Sequence, residues 1–249
     1  MERLREQEGR KRCPNTVSIR TPEELIGCSS FDVIAQLPTF PWYIRGLGGT
    51  RIEPEITDFV LVDYDTWKPR KEGEIFTYVE VTPGQPLDRS RLDVLAKASS
   101  GRTVGLTSLV YFNQGRNRVH LPLLDMDLKR PINGEVLDWV KCQIREVIGI
   151  ERGIILASGQ EGGLHFIGTH RLLTDAELVT FVGLCLQTWL PDGQPYLVDP
   201  MWLGFSLTPM WHALEQKENP YDDGLLRFTT LRVSATDKKP KLPQVIDVL

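Results

Sequence analysis

Two aspartates separated by one residue stand at the end of an otherwise apolar segment, residues 123–128. Alternate side chains of a strand share a face, so Asp125 and Asp127 are predicted to lie side by side, with Leu124 and Met126 on the opposite, apolar face. Carboxylates this close repel each other unless a cation compensates, and Mg²⁺ or Mn²⁺ takes paired oxygen ligands of this kind. The segment therefore predicts a divalent-metal site, and the alternative is a solvated strand end.

Groups suited to phosphate or metal chemistry recur further along the chain. Residues 158–167 predict a strand, a glycine-rich turn and a second strand that carries His165. Glycines let backbone N–H groups approach an anion, and Ser158 and His165 can hold phosphate oxygens there. The alternative is a hairpin whose histidine is satisfied in the core. Asp199 ends a short apolar segment, where it either adds a third carboxylate or caps the segment that begins at Pro200.

Basic residues flank both ends of this region. Lys129 and Arg130 directly follow the acidic pair, where the default interpretation is a solvated loop. Arg227 and Arg232 lie on the predicted last strand of the region. The guanidinium group suits bidentate phosphate contacts, although surface strands carry arginines without a function just as readily.

The order of these groups resembles that of the archaeo-eukaryotic primase superfamily, the primase-polymerases. Asp125 and Asp127 match its first acidic motif, and Asp199 matches its third. The second motif, a small residue and a histidine on a strand, is matched by Ser158, Gly162, Gly163 and His165. The segment around Arg227 resembles the arginine-bearing strand that often closes this core. The resemblance covers roughly residues 103–233, and order and spacing carry most of it, since each motif is short.

This resemblance implies a nucleotidyl transfer with two divalent ions, Mg²⁺ or Mn²⁺, that builds a strand on a DNA template from nucleoside triphosphates. Asp125, Asp127 and Asp199 would hold the ions as the catalytic carboxylates. The residues implied to bind the nucleotide are Ser158, Gly163, His165, Arg227 and Lys129. A single-stranded template is the expected form of the DNA.

Two other interpretations stay open. One is a catalytically inactive protein of the same fold that binds nucleic acid or a partner protein in a replication or defence system. The other is a nuclease built on the same carboxylates. The distances among the three aspartates and the direction of the His165 side chain discriminate between activity and inactivity. No zinc-binding insertion or helicase part is present, so a primase of this kind either stands alone or relies on a helicase or another partner chain, and the small size fits a mobile-element or antiphage-defence protein.

The elements that must position these groups follow from apolar periodicity. Strands are expected at 58–64, 75–81, 103–112, 119–128, 196–199 and 225–233, and helices at 21–35, 87–98, 134–148 and from Thr174 to about Trp189. The turn at 113–117 makes the two strands beside it a hairpin. This alternation predicts an α+β fold, with a mixed, largely antiparallel sheet packed by helices.

The chain divides into four predicted parts. These are a flexible arm at 1–20, an N-terminal α/β module at 21–102, a primase-polymerase-like catalytic core at 103–235 and a basic C-terminal tail at 236–249. Locally basic segments at 102–130 and 227–241 predict modest, salt-sensitive binding to a template.

Composition excludes several classes of protein. The chain has 249 residues, 41% of them hydrophobic and 25% charged, which is typical of a globular protein and not of a disordered one. The formal net charge of −4 gives no global attraction to nucleic acid. The four cysteines form no C-x-x-C motif, and the sequence has no Walker A loop and no H-E-x-x-H or G-x-S-x-G motif. The polar start and the lack of a membrane-spanning apolar run predict a cytoplasmic protein with no membrane partner.

Overall fold

The structure is a computed structural model, which describes residues 18–64, 75–98, 102–113, 117–193, 196–204, 206, 229–236 and 239–249. Most of the predicted flexible arm lies outside the described residues. Arg227 and the first part of the strand predicted at 225–233 also lie outside them.

The described residues form an α+β fold, as predicted. Its helices and strands, in chain order, are α1 (Ser30–Gln36), β1 (Tyr43–Arg45), β2 (Arg51–Ile52), β3 (Ile56–Tyr64), β4 (Ile75–Glu80), α2 (Arg89–Ala98), β5 (Thr103–Phe112), β6 (Asn117–His120), β7 (Leu123–Asp127), α3 (Gly134–Gln143), β8 (Gly153–Ala157), β9 (Gly163–Gly168), β10 (Arg171–Leu172), α4 (Asp175–Cys185), β11 (Thr230–Arg232) and β12 (Gln244–Val248). A π-helical turn, Ile144–Ile148, continues α3. None of the helices in these ranges is long and apolar enough to cross a lipid bilayer.

The helix predicted at 21–35 is wrong in its first half. A 3-10 turn, Glu23–Leu25, is followed by Gly27 in a left-handed conformation with φ 84°, which ends any helical path. Helix α1 then begins after Ser29, whose side chain accepts a hydrogen bond from the Asp32 N–H, while the Asp32 carboxylate accepts one from the Ser29 N–H. This reciprocal cap starts the helix at Ser30, nine residues later than predicted.

Two antiparallel sheets make up most of the fold. The first has the order β11-β5-β3-β4, with β6 also paired to β5, and the second has the order β12-β8-β9-β7. Leu123, Leu156 and Ile167 of the second sheet share one buried apolar cluster with Phe59 and Leu61 of the first. One face of the second sheet is therefore directed towards the first sheet.

The opposite face of the second sheet packs against helices. Leu124, Met126 and Phe166 lie in a second buried cluster with Val140 of α3 and Phe181 of α4. The strict alternation of Leu124, Asp125, Met126 and Asp127 thus fixes which face each side chain takes, as the period of a strand requires. Strand β3 pairs with β4 on one side and with β5 on the other, so residues on both sides of position 102 share one sheet, and the division into parts stays a prediction.

The last strand holds an early segment of the chain in place. Strand β12 pairs with β8, and its Val245 accepts a hydrogen bond from the Gly27 N–H at 2.9 Å and donates one to the Cys28 carbonyl at 2.9 Å. The Ser30 N–H donates to the Pro243 carbonyl at 2.8 Å. Residues predicted to form a C-terminal tail therefore lie within the fold in part.

A buried polar chain links β5, β6 and α4. The Thr229 N–H donates to Ser108 Oγ at 3.1 Å, and Ser108 Oγ lies 3.1 Å from His120 Nδ1. His120 Nε2 lies 2.8 Å from a carboxylate oxygen of Asp175, which also accepts a hydrogen bond from Arg118 at 2.9 Å. The hydrogen bond from His120, together with Arg118, holds the pKa of Asp175 well below its usual range, against the opposing effect of burial. This chain of contacts positions α4 on the sheet.

Replacing Asp175 by alanine is expected to lower the free energy of unfolding by about 2 kcal/mol, because the fully buried His120 would lose its acceptor. Glu135→Ala, at an exposed position in the first turn of α3, is the matched control and should change stability by less than about 0.5 kcal/mol. Since the pKa of Asp175 is lowered, its contribution exists above its ordinary value of 3.8 and is lost only as the pH falls through the lower folded value. Urea unfolding should therefore show an equal difference at pH 6 and pH 8, and a loss no larger than that of Glu135→Ala would contradict the prediction.

Candidate functional site

The register of β7 against β9 brings the first two predicted motifs together. Asp125 pairs with His165, and Asp127 pairs with Gly163. Directly paired residues of antiparallel strands project to the same face, so all four positions lie on the face directed towards the first sheet. Asp125 and Asp127 are half-buried there, while the neighbouring Met126 is fully buried on the other face.

Asp199 lies next to Asp125 because the residue before it, Val198, pairs with β7 at the edge of the second sheet. Val198 forms an isolated antiparallel bridge with Met126, and the Asp199 N–H donates to the Asp125 carbonyl at 2.8 Å. The Asp199 carboxylate also accepts a hydrogen bond from the Met201 N–H at 2.8 Å, at the start of the helical segment 200–204. Asp199 therefore lies beside Asp125 and caps the helical segment, while its role as a third metal-binding carboxylate stays a prediction.

The three carboxylates act on one another electrostatically. The pKa of Asp125 is raised to about 7, chiefly by burial and in part by the negative charges of Asp199 and Asp127, against the lowering effect of Lys239 and Arg232. The Asp125 side chain is 28% exposed on the face directed towards the first sheet, and we call the solvent-accessible space beside this carboxylate the cleft. Such a cluster is more stable when a cation is bound to it.

His165 lies on the carboxylate face and not among the apolar side chains of the other face. Its Nε2 atom is 3.5 Å from a carboxylate oxygen of Asp125, and its side chain is 3% exposed. Burial, with the nearby positive charges of Arg232 and Lys239, lowers the pKa of His165 to about 3. The imidazole is therefore neutral at physiological pH, and its distance from Asp125 suits it to orient that carboxylate.

The glycine-rich turn packs closely against the residues that follow β7. Gly162 has φ 73°, and a Cβ atom there would lie 2.8 Å from the backbone N of Arg130 and 2.9 Å from that of Lys129. A Cβ atom on Gly163 would lie 2.2 Å from Ser158 Oγ. Only glycine permits both approaches, so these two residues set how near the turn comes to the acidic strand.

The structure locates the other predicted nucleotide-binding residues as follows. Ser158 is 1% exposed, and its Oγ has no hydrogen-bond partner within the described residues. Lys129 is exposed and has a left-handed backbone with φ 50°, whereas Arg130 forms an ion pair with Asp192. Lys129 is therefore the more available cation beside the acidic pair.

Two cations near the site were given no site role by the resemblance. Arg232 of β11 is 9% exposed and donates to the carbonyl oxygens of Ser158 and Ser234, which places its charge beside Asp125. The resemblance assigned this role to Arg227, which lies outside the described residues. Lys239 also acts on Asp125, although it was counted only as part of a basic tail.

Asp125 and Asp127 offer the oxygen ligands that a divalent cation takes, although the described side chains do not form a complete metal site. Within the ranges that the structure describes, no three His, Cys, Asp or Glu side chains converge as metal ligands. A buried oxygen of Asp127, Oδ1, has no hydrogen-bond partner among these residues. An unpartnered carboxylate oxygen beside a carboxyl group of raised pKa is the donor set that a hard cation completes.

Comparison with known proteins supports the superfamily indicated by these motifs. The model of the AEP-like family, described as archaeo-eukaryotic primase 1D-like, matches residues 82–221, more than half of the chain. The match spans the acidic pair, the glycine-rich turn with His165, and Asp199. Neither the curated proteins nor the solved structures contain a match. The chain therefore belongs to the archaeo-eukaryotic primase-like family.

Proposed function

We propose that this protein is a metal-dependent nucleotidyltransferase that extends a nucleic-acid strand on a DNA template from nucleoside triphosphates. The observation that carries the proposal is the placing of Asp125, Asp127 and Asp199 on one face of a sheet, beside His165 and two cations. Family membership supports the same class of reaction.

In the proposed reaction, the 3′-hydroxyl of the growing strand attacks the α-phosphate of the nucleotide, and pyrophosphate leaves. Divalent ions, when bound, supply Lewis-acid activation of that hydroxyl and offset charge on the leaving group. Asp125, Asp127 and Asp199 are the residues that would hold these ions, and His165 would keep the Asp125 carboxylate in place.

The proposed nucleotide contacts come from groups around the turn. Lys129 is exposed beside the acidic pair, and Arg232 and Lys239 bring positive charge to the cleft that would offset the triphosphate. Ser158 and Gly163 lie at the turn, where they would fix the depth at which the phosphates lie. His165 is almost fully buried, so it would contact the triphosphate only if the side chains around it moved.

The decisive experiment measures incorporation of a labelled nucleotide by the full chain on primed and unprimed single-stranded DNA, with Mg²⁺ or Mn²⁺ and with a chelator. Template-dependent extension that needs the metal ion is the expected result. Shortening of the DNA in place of extension would identify a nuclease. Absence of both products from folded protein would overturn the proposal.

A second candidate function is a catalytically inactive primase-fold protein that binds nucleic acid or a partner. The observation that favours it is the hydrogen bond from the Met201 N–H to one oxygen of the Asp199 carboxylate. This bond competes with metal binding by Asp199, one of the three carboxylates that the proposed reaction needs. DNA binding without incorporation would support this alternative. A cytoplasmic location, a helicase-like partner and a role in antiphage defence stay predictions.

A further inference from the structure

Strands β1 and β2 form a short hairpin outside the cleft. Ile44 pairs with Ile52 and Arg45 with Arg51, and the residues between them make a glycine-rich turn. The turn is closed by its own hydrogen bonds, from the Gly46 N–H to the Thr50 carbonyl at 2.8 Å and from the Gly49 N–H to the Gly46 carbonyl at 3.1 Å. The hairpin therefore has a defined shape that does not depend on packing of its tip.

Two arginines stand directly opposite each other on this hairpin. Like charges at paired positions of a sheet repel, so the arrangement lowers stability unless an anion lies between them. Arg45 and Arg51 are exposed, and within the described residues neither has a carboxylate oxygen within 4 Å. The pair is thus available to an anionic ligand.

An aromatic side chain orients one of the two arginines. Arg51 Cζ lies 4.4 Å from the centroid of the Tyr43 ring, and this ring meets His170 edge to face at 5.5 Å. Burial lowers the pKa of His170, and the charges of Arg152 and Arg51 lower it further, which places Arg152 in the same cluster. The negative charge that acts on His170 is that of Glu151, which lies 3.9 Å from His170 Nε2 and is 83% exposed.

The tip of the hairpin is apolar and unprotected. Leu47 is 99% exposed, and Ile52 beside it is 51% exposed. Proteins that hold DNA through arginines frequently present a leucine or isoleucine to the bases or sugars beside the phosphates. A guanidinium pair with an apolar tip combines phosphate and base contacts in one small element.

We propose that the β1–β2 hairpin is a nucleic-acid-binding surface. In it, Arg45 and Arg51 bind consecutive phosphates of one strand and Leu47 contacts its bases. This inference extends the proposed function, since it gives the template a second contact beyond the catalytic cleft.

The hairpin is within reach of a strand held in the cleft. Strand β1 pairs in parallel with β10, where Tyr43 lies opposite Arg171, and β10 follows closely on β9, which carries His165. The six residues from His165 to Arg171 span at most about 20 Å. That length corresponds to about six nucleotides at roughly 3.4 Å each.

The test is fluorescence anisotropy of labelled oligodeoxythymidine with the full chain, over a series of salt concentrations. Single-strand binding sites cover about 4 to 16 nucleotides. A long probe of about 20 nucleotides therefore spans both the cleft and the hairpin, whereas a short probe of about 6 nucleotides fills only one of them. With the long probe, Arg45→Ala and Arg51→Ala should each reduce the slope of log affinity against log salt by about 0.7. Arg145→Ala, which removes the same charge from the exposed face of the π-helical turn, is the matched control and should leave the slope unchanged.

Leu47→Ser should weaken binding of the long probe several-fold without altering the slope, because it removes no charge. With the short probe, all four variants should bind like the wild-type protein. Slopes for the hairpin variants equal to that of Arg145→Ala, an affinity unaffected by Leu47→Ser, or no binding by the wild type would overturn the inference. Arginine-dependent binding without nucleotide incorporation would instead contradict only the proposed function.

Discussion

Nucleotide incorporation should fall at least about 1,000-fold when Asp125 and Asp127 are both replaced by asparagine, since metal-held charge stabilises such transition states by several kcal/mol. Asparagine keeps the size of each side chain but removes the negative charge that a hard cation requires. The measurement is the initial rate of labelled-nucleotide incorporation on primed DNA at saturating Mg²⁺ or Mn²⁺. Asp138→Asn, the same change at a side chain that is 80% exposed, should leave the rate unaltered.

The stability of the single variant Asp125→Asn tests whether a loss of folding could explain the loss of incorporation. The raised pKa of Asp125 predicts that this variant is more stable than the wild type. Because burial and the neighbouring carboxylates raise the pKa of Asp125 to about 7 from an ordinary 3.8, the folded state disfavours its ionised form. The free energy of unfolding therefore falls as the pH rises from about 4 to about 7. In chelator-treated protein, Asp125→Asn should raise the melting temperature, and more so at pH 8 than at pH 5. Retained incorporation by the double variant would contradict the site assignment.

Replacing Arg232 by methionine should lower the free energy of unfolding by about 3 kcal/mol, as expected when a buried charge is removed from its partners. Arg232 is 9% exposed, and one of its hydrogen bonds joins β11 of the first sheet to Ser158, which follows β8 of the second, while the other goes to the nearby Ser234 carbonyl. Its loss leaves the buried Ser158 carbonyl without this donor and removes a positive charge that offsets Asp125.

Two further variants make this prediction specific. Arg232→Lys keeps the charge but cannot make both hydrogen bonds, so it should lose about half as much stability as Arg232→Met. Arg145→Met, at an exposed position, should change stability by less than about 0.5 kcal/mol. Urea unfolding measures all three, and equal stability of Arg232→Met and the wild type would show that the guanidinium does not hold the two sheets together.

The parts of the site that depend on local pattern could be predicted from the sequence. The alternation of apolar and acidic residues fixed the shared face of Asp125 and Asp127, and the glycines marked the tight turn before His165. The α+β class also followed, because alternating elements with a hairpin require a largely antiparallel sheet.

Long-range contacts decided what the sequence left open. Which arginine of the last region reaches the carboxylates depends on how β11 pairs with β5, where Arg232 lies opposite Gly105, and no local pattern encodes that register. Lys239 acts on Asp125 from a segment that the sequence predicted only as a basic C-terminal tail. The early helix failed for a local reason, since Gly27 adopts a left-handed backbone that also lets its N–H bond to Val245.

The backbone hydrogen bonds between residues 27–30 and the segment 243–245 join an early part of the chain to a late one. When they can form therefore depends on the order in which the chain is synthesised. Gly27 and Cys28 bond to Val245, and Ser30 bonds to Pro243, so these hydrogen bonds cannot form until residues 243–245 have left the ribosome. Residues 158–243 separate β8 from β12, so at roughly 5–20 residues per second β8 waits on the order of ten seconds for this partner. During this interval β8 has no neighbour on one side, and the nascent chain is open to aggregation through that edge.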